Sequence, residues 1–183
     1  MLLSRKITIG AVNTSIILLL AVLKYIFPAA DLTFFVLASF CIAMSVILTD
    51  IRGGVLTYFS SLALMSAIFG IFFALPFIVF FGIYPILKAL LEKRYKRGIS
   101  FGLKVLFFTL ISALTVYLAE KSAKVIDINL DAVFEKFSLP DSIYDFRFII
   151  LIPVIIIFLV LYDLILSSLI DYFTKKVFPN LKN

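Results

Sequence analysis

Six long apolar runs, separated by short charged or Pro- and Gly-bearing stretches, decide what this chain can become. They cover residues 7–27, 32–49, 55–73, 75–91, 101–118 and 148–170. Each approaches the roughly 20 apolar residues an α-helix needs to cross a bilayer, within a range of about 17–25. In hydrocarbon every backbone N–H and C=O must be paired, and a helix pairs its own. The expected fold is therefore all-α: a polytopic membrane helix bundle of about six transmembrane helices, in one domain over 1–183. Composition agrees with this. The 183 residues are 63% hydrophobic and 15% charged, against about half and a quarter in a typical soluble domain.

Local chemistry places the boundaries. Pro28 ends the first run, and Asp31 and Asp50–Arg52 bracket the second. From Val55 to Leu91 no charge occurs before Lys88, and that stretch is too long for one span. Pro76 has no backbone N–H and biases Leu75 away from helical geometry. A tight hairpin is expected near Ala74–Pro76, with a re-entrant pair as the alternative. Arg5 and Lys6 ahead of an apolar run imitate a signal peptide. The run is longer than a typical h-region and no small-residue cleavage site follows before Asp31, so it reads as a retained first helix.

Lys and Arg near the ends of the spans set their orientation. With the N-terminus in the cytoplasm, Lys24, Lys121, Lys124, Lys136 and Arg147 fall outside. The other 12 of the 17 basic residues fall inside, among them Arg52, Lys88, Lys104 and the run Lys93–Arg97. This predicts a multi-pass protein of the cell membrane with both termini cytoplasmic. Seven of the 11 acids fall outside, and six of those seven lie between the fifth and sixth runs, around an outer loop, 121–147, where Val133, Phe134 and Phe137 form a short apolar stripe at helical spacing.

The usual catalytic signals are missing. There is no His and one cysteine, Cys41, which removes the common metal-ligand sets and the usual general base. No phosphate-binding glycine loop occurs, and no nucleophile with a histidine partner. An aspartyl intramembrane protease needs two acids in its spans, and Asp163 is the only candidate well inside one. The reading is a non-enzyme with no cofactor and no metal. The net charge of +6 reads as topological rather than as a nucleic-acid footprint, since little of the chain projects from the bilayer.

Four features remain. Asp163 would cost on the order of 2.5–3.5 kcal/mol at mid-bilayer, so it should face the bundle and find a partner. Ser167, Tyr162 and Ser168 lie near it in sequence, and Lys88 or Arg52 is a candidate cation. It reads either as a proton or cation site or as a structural ion pair. Gly10, Ala11, Thr14 and Ser15 give the first helix a small-residue face, suited to internal packing or to docking another membrane subunit, and Asn13 adds an amide that must bond. Gly82, Tyr84 and Pro85 interrupt the fourth run. Such a kink either shapes a pocket, with Tyr117 of the fifth run, or merely adjusts packing. The run Lys93–Arg97 anchors topology, and can also hold anionic headgroups or a cytoplasmic partner.

Six short helices with a small-residue face on the first resemble the substrate-binding S components of energy-coupling factor transporters. The stretch from Leu37-Ala38-Ser39-Phe40 through Thr57-Tyr58, and then Phe81-Gly82-Ile83-Tyr84-Pro85-Ile86-Leu87-Lys88, resembles a group of uncharacterised Firmicutes membrane proteins that look related to S components. The resemblance implies a vitamin- or metal-uptake subunit with an outward-facing pocket closed by loops. It also implies docking onto a transmembrane coupling protein driven by two cytoplasmic ATPases. The docking positions would be Ala11 and Ser15, of which Ser15 departs from the family's usual alanine pair. The absence of His argues against the cobalt and nickel members, and no signature of the riboflavin, thiamine or biotin binders is present. The expected function is thus a ligand-binding uptake subunit, its small molecule unidentified. A non-transporting membrane scaffold and a proton-coupled carrier using Asp163 are the alternatives.

Overall fold

A computed structural model of the chain describes residues 3–126 and 147–176. These residues form helices joined by short connections. Helix α1 spans Leu3–Ile26, α2 Asp31–Leu48 and α3 Ile51–Phe69. Helix α4 occupies Ile71–Arg94 in pieces: α-helical Ile71–Pro76, a π-helical turn Phe77–Phe81, and α-helical Tyr84–Arg94. Helix α5 covers Arg97–Ile126 and α6 covers Arg147–Lys176. Among the described residues, five stretches are long and apolar enough to cross a membrane: Ser4–Ile26, Asp31–Leu48, Ile51–Phe69, Ile71–Arg94 and Ile155–Lys176. Gly98–Leu114 is apolar but shorter. The described chain is all-helical, with the apolar helices of a multi-pass membrane protein.

By packing, the chain divides into two compact units, Met1–Ser100 with Leu164–Asn183, and Phe101–Asp163. In the first unit α1, α2 and α3 pack on one another, and α4 lies against α2 and α3. Its core holds Ile17 and Ala21 of α1, Phe35 and Ile42 of α2, Met65 of α3 and Phe77 of α4. Leu19, Leu56 and Phe72 stay exposed, as side chains facing lipid do. The end at which α1 begins, α2 stops, α3 begins and α4 stops is called the basal end below.

Helix α3 begins at Ile51, ahead of the expected Val55, because Asp50 caps it: Oδ1 accepts from the Gly53 N–H at 2.8 Å. Gly53 and Gly54 therefore sit inside its first turn. A Cβ on Gly54 would run into Val46 of α2, and one on Gly53 into Thr49, so these glycines let α2 and α3 close tightly across the turn.

The break between α3 and α4 falls at Gly70, not at the expected Ala74–Pro76 hairpin. Gly70 has φ +86°, a conformation that glycine adopts without a Cβ clash, and its N–H reaches the Ser66 carbonyl at 3.1 Å. Pro76 keeps helical φ and ψ of −60° and −36° and ends the first piece of α4, where the π-helical turn takes over the hydrogen-bond register. At the other end of the chain, α5 continues to Ile126. It takes in residues 121–126 of the expected outer loop, and α6 begins at Arg147. The stripe of Val133, Phe134 and Phe137 lies outside the described residues.

Candidate functional site

At the basal end, the turn between α2 and α3 meets the last turns of α4 around an open cleft of about 470 Å³. Val46, Thr49, Asp50, Ile51, Arg52, Ala89 and Lys93 line it. Asp50 Oδ2 lies 2.6 Å from Lys6 Nζ of α1, while Oδ1 is taken by the Gly53 N–H. The Lys6 hydrogen bond, then the Gly53 N–H, and also the nearby charge of Arg52, hold the Asp50 carboxyl below the usual carboxylate range.

The sign of this shift gives a testable pH dependence. A lowered pKa means that the folded chain binds the proton less readily than the unfolded one. The stabilisation is complete above the ordinary Asp value of about 3.9 and is lost as pH falls through the lowered folded value. Wild type should exceed Asp50→Asn in thermal stability at neutral pH, and the gap should close in strong acid. Unfolding in detergent across that range measures it, and a gap independent of pH would show that the carboxylate contributes nothing through its charge.

Above the turn a polar seam joins the first three helices. Asn13 Nδ2 donates to Ser45 Oγ at 2.7 Å, and Ser45 Oγ lies 3.1 Å from Thr57 Oγ1. Thr57 Oγ1 also donates back to the Gly53 carbonyl at 3.0 Å. A Cβ on Gly10 would stand 3.3 Å from Thr57 Oγ1, and Thr14 is buried. The four small residues of α1 therefore divide. Gly10 and Thr14 pack inward, whereas Ala11 and Ser15 remain exposed, with the Ser15 hydroxyl donating to the Ala11 carbonyl at 3.0 Å.

Aromatic side chains pack around the kink in α4. The Gly82 N–H goes to Phe77 O at 2.8 Å, the i→i+5 pairing of a π-turn. In an α-helix it would serve Ile78 O. That released carbonyl accepts instead from the Tyr58 hydroxyl of α3 at 3.0 Å. Tyr84 is fully buried with its ring stacked on Phe80 at 5.4 Å, and Phe81 stacks on Phe35 at 5.1 Å. Gly82 and Pro85 are buried too. A void of only about 10 Å³ lies near Lys24, Phe35 and Met65, toward the opposite end. Tyr117 belongs to α5, but its side chain lies outside the described residues.

Three lysines that the sequence counts as topological charges near the ends of the spans are buried instead. Lys104 Nζ, in the second unit, lies 3.3 Å from Asp163 Oδ2, with side chains 8% and 14% exposed. Lys104 is thus an ion partner of Asp163 that the sequence does not point to. Lys88 bonds Ser167 and lies 3.5 Å from Glu92. Lys24 lies 3.3 Å from Asp31 and sits over the rings of Phe73 and Phe35, 3.9 and 4.7 Å from their centroids. A sequence signal exists for all three, since Lys24, Lys88 and Lys104 stand inside apolar runs. No protein-family model, no curated protein and no solved structure matches the chain.

Proposed function

We propose that the chain crosses the cell membrane six times with both termini in the cytoplasm, and that it is the substrate-binding subunit of a small-molecule uptake transporter of energy-coupling factor type. The sixth span in this reading is α5. The face of α1 carries the proposal. Ala11 and Ser15 stay exposed while the adjacent Gly10 and Thr14 are used up in packing against the bundle. A pair of small side chains one turn apart on an exposed helix surface allows the backbone of another membrane helix to approach closely. A coupling protein would dock there, and the coupled ATPases would act from the cytoplasmic side.

The second reading, a non-transporting scaffold that uses the same face, is favoured by the close aromatic packing around the α4 kink, where Tyr84 is fully buried.

Co-expression with an energy-coupling factor coupling protein and its two ATPases tests the proposal. The wild-type chain should purify as a complex. Ala11→Leu with Ser15→Leu should reduce recovery at least about ten-fold while the subunit remains monodisperse, since one helix–helix contact is removed by steric bulk. Leu56→Phe, on the exposed side of α3, should leave recovery unchanged. A solitary wild-type chain overturns the transporter reading and leaves the scaffold.

A further inference from the structure

We propose that the basal cleft binds the phosphate headgroup of an anionic phospholipid between Arg52 and Lys93. Its volume of about 470 Å³ is of ligand size. Its lining is amphiphilic: Val46, Ile51 and Ala89 supply apolar walls, while Arg52 and Lys93 supply two cations. Both cations are exposed, and neither is within ion-pair distance of a carboxylate among the described residues. Asp50 does not cancel them. Its two oxygens are engaged by Lys6 at 2.6 Å and by the Gly53 N–H at 2.8 Å, so Lys6 balances that charge. The cleft therefore keeps a positive excess.

Its level in the bundle points to a lipid. The cleft sits where the apolar part of α2 ends at Leu48, where α3 begins at Ile51, and beside the final turn of α4. That is the depth at which headgroups meet the ends of spans. A guanidinium presents paired donors that match phosphate oxygens, and an ammonium adds a second point of charge. Glycerol and the start of the acyl chains would lie on the apolar walls.

The test is native mass spectrometry of the full chain, released from vesicles of phosphatidylglycerol and phosphatidylcholine in equal amounts. The wild type should retain phosphatidylglycerol preferentially. Each cation near a membrane surface is worth roughly a five-fold preference, so Arg52→Gln with Lys93→Gln should lower it about 25-fold. Lys175→Gln with Lys176→Gln removes the same charge from the end of α6 and should leave it nearly unchanged. Ala89→Trp keeps every charge but fills the cleft, and it should lose the preference as well. Equal retention of the two lipids by wild type overturns the proposal. So does an undiminished preference in Ala89→Trp, which would mean diffuse charge attraction. Displacement of the lipid by soluble glycerol phosphate overturns the lipid assignment in favour of a free phosphate ligand. Failure of that competitor, with loss in both cleft variants, establishes the lipid site.

Discussion

Asp163→Leu is expected to destabilise the protein by about 3–5 kcal/mol, and Lys104→Met by a similar amount, because each removes one partner of a largely buried ion pair. The two side chains are 14% and 8% exposed and their charged atoms are 3.3 Å apart. Water therefore offers little compensation when one partner is removed. The double variant, Asp163→Leu with Lys104→Met, removes both charges together and should lose less than the sum of the two single variants, since the shared interaction is counted in each of them. Reversible unfolding in mixed micelles of all four proteins closes the cycle. Additive losses would mean that the two residues do not act as a pair. The same variants bear on the proton-coupled carrier. If Asp163 moved protons, the double variant would fold and yet lose uptake. If the pair is structural, a folded double variant should keep whatever transport the wild type supports.

A second large effect is expected at Gly82. A Cβ there would stand 2.5 Å from Tyr58 Cδ2 and Cε2 and 2.9 Å from the Phe77 carbonyl oxygen. The ring has little freedom to retreat, because its hydroxyl is bonded to Ile78 O in the π-turn. Gly82→Ala should therefore cost on the order of 1–3 kcal/mol, and Gly82→Val more, as overpacking of a closed core does. Tyr58→Phe alone removes one hydrogen bond, worth about 0.6–1.7 kcal/mol inside a membrane bundle. Tyr58→Leu should relieve part of the Gly82→Ala penalty by withdrawing the ring, while the contact with Phe77 O persists. Thermal unfolding in one detergent reads all of these. A Gly82→Ala protein as stable as wild type would show that the kink has room, and would favour a ligand cavity there.

The two expectations differ in how far sequence anticipates them. A lone acid in the last apolar run demands a partner, and sequence logic therefore reaches Asp163. Lys104 as its partner is out of reach, because it is 59 residues away and reads as one more inner-side topological charge. The glycine and proline of the kink are equally visible. What fills the kink is not, because Tyr58 comes from the preceding helix and its role exists only once the π-turn frees a carbonyl. The α3–α4 break is expected too late in the chain for a related reason. Proline stands out as the chain breaker, whereas the turn needs a residue with positive φ, and Gly70 supplies it.

Hydropathy along the chain suffices for the helical class, the approximate spans and the conclusion that they face lipid. Length and apolarity of a run are one-dimensional properties, and a bilayer imposes the same backbone requirement on every one of them. Facing and pairing are three-dimensional. Successive residues are turned about 100° around a helix axis, so Gly10 can pack against Thr57 while Ala11 beside it remains open. The cleft of Arg52 and Lys93 likewise joins a helix start to the end of the next span. No sequence spacing could announce it, because it arises from how α2, α3 and α4 close on one another.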